Sequence, residues 1–195
     1  MKFAALRLIK DEHRSLAAVL RAAALVAEKA LNSGKAPDFK LLHAVIFYLR
    51  EFPERRHHVN EDKVLFARVR IRTQQADAAI DEIEEEHRRG VWMLDDLESA
   101  LKRWEAGEPE AGPRFAEALR QFSRFYWLHM EKEESRILAV AEDVLTDEDW
   151  HAIHSAFVMN EDPMFGEDTA EEFSRLFPRI IRLASSSLRT GEPAN

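Results

Sequence analysis

Apolar residues recur at every third or fourth position along almost the whole chain, and only an α-helix turns that spacing into one continuous face. Alternating apolar and polar runs bounded by turn residues, the mark of strands, are missing. An all-α fold follows. A first segment, about 4–32, sets Leu6, Ile9, His13, Leu16, Leu20, Ala24, Ala27 and Leu31 on one stripe and stops at Asn32, Ser33 and Gly34, with Pro37 beyond. A second, about 38–71, carries Leu42, Ile46, Leu49, Pro53, His57, Glu61 and Leu65. Pro53 is expected to kink or divide it, because proline removes one backbone hydrogen bond and crowds the preceding turn. A third, about 73–105, shows Ile80, Ile83, His87, Val91 or Gly90, Leu94, Leu97, Leu101 and Trp104, closed by Gly107, Pro109, Gly112 and Pro113. The fourth, about 113–144, shows Phe115, Leu119, Phe122, Tyr126, His129, Glu133, Ile137, Val140 and Val144. Helices of this length joined by short loops predict an up-down-up-down four-helix bundle over residues 1–145.

Residues 146–195 read as additional C-terminal helices packed on that bundle. Thr146 and Asp149 resemble an N-cap pair starting a short helix through Trp150, Ile153 and Phe157. A loop over 160–168 with Pro163 and Gly166, an amphipathic helix over about 169–187 and a frayed tail are expected to follow.

Composition narrows the chemistry. With 195 residues, 46% of them hydrophobic, the chain can fill one core. It has no cysteine, which excludes disulfide scaffolds, thiolate zinc sites, thiol nucleophiles and iron–sulfur clusters. Any metal must then be held by His, Asp and Glu. A net charge of −8 opposes binding to nucleic acid or anionic lipid, and the basic clusters at Arg55, Arg56 and 68–72 lie among acids as solvated faces. No run of about 18 apolar residues occurs. The N-terminus meets Lys10, Asp11 and Glu12 too early for a signal peptide, so a cytoplasmic protein is expected.

Six polar residues occupy stripe positions reserved for the core: His13, His57, Glu61, His87, His129 and Glu133. A carboxylate in place of a core Leu costs several kcal/mol, on the order of the desolvation penalty for an ion, unless a positive group pairs with it. No Lys or Arg shares the stripes beside these residues. His57 with Glu61 and His129 with Glu133 are i, i+4 pairs, one turn apart on one face.

Their heights agree. His13 lies 21 residues before the turn near 34 and His57 lies 23 after it, so the two meet at nearly one level in an antiparallel hairpin. His87 and His129 lie 22 before and 20 after the turn near 109, and Glu61 and His87 lie 12 and 14 from the turn near 73. The chain also repeats itself: Asp11-Glu12-His13 precedes His57-His58-Val59-Asn60-Glu61-Asp62 by 44 residues, and Glu85-Glu86-His87 precedes His129-Met130-Glu131-Lys132-Glu133-Glu134 by 42. Two similar hairpins thus supply two His and one carboxylate each. This stoichiometry fits two metal ions bridged by two carboxylates, each ion capped by two imidazoles.

The run YLREFPERRHHVNEDKVLF at 48–66, with His13 upstream and Glu86-His87 and HMEKEE at 129–134 downstream, resembles hemerythrin-like proteins of the HHE cation-binding class over about 5–145. The resemblance implies a four-helix bundle holding a non-haem di-iron centre of two Fe ions, oxo- or hydroxo-bridged, with Glu61 and Glu133 as bridging carboxylates. Manganese is the alternative metal, since mixed imidazole and carboxylate ligation suits both. Oxygen-carrying members have a second His one turn after the first on the third helix. Here that position is Val91, which leaves four His unless His58 or another side chain substitutes. Glu54 and Glu84, each three residues before a His, match the Glu-x-x-His spacing of other carboxylate sites. His43, His151 and His154 fall outside the layer. Tyr126, one turn before His129, is placed to donate a hydrogen bond near the metals. Phe47, Tyr48, Trp92, Phe122, Phe125 and Trp127 read first as core aromatics at helical spacing, with the wall of a dry cavity near the metals as the alternative.

The expected ligand is a small diatomic, O2 or NO, or peroxide, for sensing, storage or scavenging; a homodimer is left open. The alternative is a di-iron redox enzyme acting on peroxide or ferrous iron, and the third reading is a bundle in which His and Glu bond each other without metal.

Overall fold

The computed structural model describes residues 1–160 and residue 182, and among these every regular element is helical. Helix α1 is Lys2–Ser33, α2 covers 39–72, α3 is Asp77–Glu105, α4 covers 111–144 and α5 is Asp147–Val158. The second C-terminal helix expected at 169–187, most of the 160–168 loop and the tail lie outside the described residues.

Local chemistry sets the ends. Gly34 closes α1 in the left-handed conformation, φ 64, and returns its N–H to the Leu31 carbonyl. No atom approaches the space a Cβ would take there, so only the backbone resists a side chain. Gly34→Ala is expected to cost about 1 kcal/mol in urea unfolding. The Asp38 carboxylate accepts the Leu41 N–H to start α2, at 3.1 Å. Thr146 and Asp149 form the expected capping box at α5.

Each long helix packs against the next in the order α1, α2, α3, α4, and α4 returns to α1, while α5 lies on α1 and on the middle of α2. The apolar core falls into two parts. One, toward the turns near 34 and 107, contains Leu20, Leu42, Leu49, Leu97, Leu101, Phe115 and Tyr126. The other contains Ile9, Leu65, Phe66, Ile80, Ile137, Trp150, Ile153 and Phe157. The buried His13, His57, His58, Glu61, His87, His129 and Glu133 lie in the layer between them.

Pro53 does not break α2. The helix passes through it by widening to π-type turns over Arg50–His57, and the His58 N–H bonds the Pro53 carbonyl five residues back. The wider turn absorbs the donor that proline lacks. π-type turns recur at Glu61–Phe66 and at Glu133–Leu138, so each interior carboxylate opens one. Three of the aromatics join neither core nor cavity wall: Trp92, Trp127 and Phe47 are 76%, 60% and 40% exposed. They sit one position off the stripe, and about 100° of rotation per residue carries them out of the interior. Among the described residues no helix is long and apolar enough to cross a membrane.

Candidate metal centre

His13, Glu61, His57, His87, His129 and Glu133 are all buried in the polar layer, and His58 is buried with them. They form two overlapping groups. His13, His57, Glu61 and Glu133 present donor atoms within 4.8 Å of one another, and so do His58, Glu61, His87 and His129. Glu61 belongs to both. Its Oε1 lies 2.8 Å from His57 Nε2 and its Oε2 lies 3.4 Å from His87 Nε2, so one oxygen addresses each group. His13 Nε2 lies 3.1 Å from His57 Nε2 and 3.2 Å from Glu133 Oε2.

His58 is the residue that sequence spacing left open. On a regular helix it stands about 100° from His57, but the π-type turns around Pro53 bring both imidazoles inward. Its ring stacks on that of His87, with centroids 4.1 Å apart. Val91 is partly exposed, and the interior position on α3 is taken by Gly90. The second group therefore has three imidazoles, one of them from α2.

The other nitrogen of four imidazoles is also committed. Glu12 on α1 holds His57 Nδ1 at 2.6 Å, Asp62 on α2 holds His87 Nδ1 at 2.8 Å, Glu86 on α3 holds His129 Nδ1 at 3.1 Å, and Glu134 on α4 holds His13 Nδ1 at 2.9 Å. Each of these carboxylates is the sequence neighbour of an inward residue on its own helix and serves an imidazole on an adjacent helix. The four contacts close a ring around the bundle. Glu12 is itself held by the Asn160 side-chain amide at 3.1 Å, which ties the end of α5 to His57. Such partners fix the ring orientation and the tautomer, leaving Nε2 with its lone pair facing inward. Asp62→Ala is expected to weaken metal affinity about 10–100-fold, as read by competition with a chromophoric chelator.

Neutral imidazoles in that tautomer bring lone pairs against lone pairs. Both oxygens of Glu61 and of Glu133, together with His87 Nε2, His129 Nε2 and His58 Nδ1, are buried without a hydrogen-bond partner. Only added protons or cations resolve the contacts. With protons alone, burial acts to lower His57, but Glu61 and Glu12 outweigh it and push the imidazole up to about 10. His87 is likewise raised to about 9 against burial by Asp62 and Glu61, and His13 well above its usual range by Glu133, Glu134 and Glu61. Burial and the neighbouring His87 hold His58 and His129 below theirs. Burial raises Glu133, reinforced by Glu61, whereas Glu61 is drawn down against burial by His57, His13 and His87.

A cation resolves the same contacts without protons. Adjacent donors on one ion stand about 3 Å apart when bonds of about 2.1 Å meet at right angles, and the His13–His57 nitrogen separation matches. The donor set fits a metal. Phe52, Phe66 and Phe157 lie against His57 and His87 and face the layer with apolar rings.

Other candidates divide. Glu84 pairs with Arg70 at the surface, and His43 with Glu105. The Glu54 side chain is largely enclosed; it accepts the Tyr126 hydroxyl, lies 3.5 Å from His58 Nδ1, and desolvation pushes its carboxyl up to about 7. Sequence spacing missed the four outer carboxylates, whose one signal was adjacency to an inward residue.

No curated protein and no solved structure matches the chain. The family model of the hemerythrin HHE cation binding domain matches residues 4–141, a span that holds both donor groups and the whole carboxylate ring. The chain therefore belongs to the hemerythrin HHE cation-binding domain family.

Proposed function

We propose that the centre holds two iron ions and binds a small diatomic ligand, O2 or NO. His13, His57, Glu61 and Glu133 take one ion, and Glu61, His58, His87 and His129 take the other. The observation that carries this is the Glu61 carboxylate, wholly buried with one oxygen toward each group. Mixed imidazole and carboxylate donors suit iron, with manganese next. Iron so bound supplies exchangeable coordination positions and electrons for a diatomic ligand. The protein's part is to orient the donors through the carboxylate ring, to balance charge with Glu61 and Glu133, and to exclude water with the flanking aromatics.

The test is an anaerobic titration of the iron-loaded, reduced protein with O2 and with NO, followed by absorption. A stable band that disappears on removing the gas is expected. Fast, irreversible oxidation would favour the redox-enzyme reading, with peroxide or ferrous iron as substrate. Failure to retain about two irons per chain would end both.

A further inference from the structure

The second donor group has three imidazoles but shares its carboxylate with the first, whereas the first has Glu133 as well. A further carboxyl lies beside the second group. Glu54 has a side chain only 7% exposed, and its Oε2 is 3.5 Å from His58 Nδ1, itself buried without a hydrogen-bond partner. Its Oε1 accepts the hydroxyl of Tyr126, whose ring stacks on His58 at 5.8 Å.

The placement follows the internal repeat. Glu54 stands three residues before His57 and Tyr126 three before His129, so equivalent positions of the two halves meet at the second group. Gly90, three residues after His87, makes the meeting sterically feasible. A Cβ there would fall 2.8 Å from the Tyr126 hydroxyl oxygen and 3.2 Å from Glu54 Oε1. A buried carboxyl with one hydrogen bond costs free energy unless a positive group completes it. Arg50, one turn away, is engaged with Asp95 and Glu98 instead.

We propose that Glu54 is a further carboxylate donor to the second ion, held toward it by Tyr126 across the gap left at Gly90. This rests on the reading that His58 binds that ion. It gives the second ion a carboxylate of its own, as Glu133 gives one to the first.

The test compares Glu54→Gln, Tyr126→Phe and His58→Ala in anaerobic Fe(II) titrations, with thermal unfolding of the metal-free proteins alongside. Glu54→Gln keeps the shape and an acceptor for Tyr126. It is expected to weaken the second iron by at least about 10-fold, leave the first unchanged, and leave metal-free stability equal or higher because a buried carboxyl is removed. A structural role alone would lower metal-free stability without separating the two irons. Tyr126→Phe should weaken the second iron by a smaller factor, and it carries the test if Glu54→Gln does not fold. Wild-type affinity for both irons in Glu54→Gln and Tyr126→Phe, with loss of the second iron in His58→Ala, overturns the role of Glu54 alone. Two irons held at wild-type affinity by His58→Ala overturn the underlying reading and this inference with it.

Discussion

Glu61→Ala protein is expected to hold neither iron stoichiometrically, whereas Glu133→Ala should keep about one. From sequence the two carboxylates were equivalent, one per hairpin, and both were expected to bridge. In the structure Glu61 presents Oε1 to His57 and Oε2 to His87, while Glu133 is grouped with His13, His57 and Glu61. Removing Glu61 takes a donor from each group and also the negative charge facing His57, His13 and His87. Removing Glu133 leaves the His58, Glu61, His87 and His129 group whole. Elemental analysis after anaerobic reconstitution reads the difference directly. Full two-iron occupancy in Glu61→Ala would contradict the bridging role, and equal losses in the two variants would contradict the asymmetry.

Metal removal should reverse the sign of the protein's pH dependence. In the chelated protein His57 and His87 sit at about 10 and about 9, above the ordinary value near 6.5 that they regain on unfolding. A raised imidazole contributes stability that is fully present below about pH 6.5 and is lost as pH climbs through the folded value. Metal-free protein should therefore lose stability, on the order of several kcal/mol, between pH 6.5 and 10. The loaded protein should not, because iron replaces those protons and binds more tightly as they leave. At free metal about 1,000 times its dissociation constant the added stability is about 4 kcal/mol. Urea unfolding of both forms across this range checks the claim; parallel profiles would refute it.

Much of the fold was legible because helix periodicity is a local property. Gly34 and the Thr146–Asp149 box sit where their backbone chemistry requires, and the six inward polar residues stood out against apolar stripes. Pro53 shows the limit of such reasoning. Its missing N–H was evident, yet whether the helix would bend, break or widen depended on the neighbours packed around it, and the widened turn is what brings His58 inward.

Taken alone, the chain's order of residues determined that four amphipathic helices would fold back on one another with His and Glu at a common height, since spacing and turn position set both. Only the tertiary structure decided which carboxylate serves which imidazole, that Glu61 faces both groups, and that Glu54 meets Tyr126 over Gly90. The carboxylate–imidazole contacts of the ring alone join residues from 25 to 121 positions apart. They depend on the rotation and axial offset of one helix against another, and packing of all the helices together sets those quantities, not the sequence of any single one.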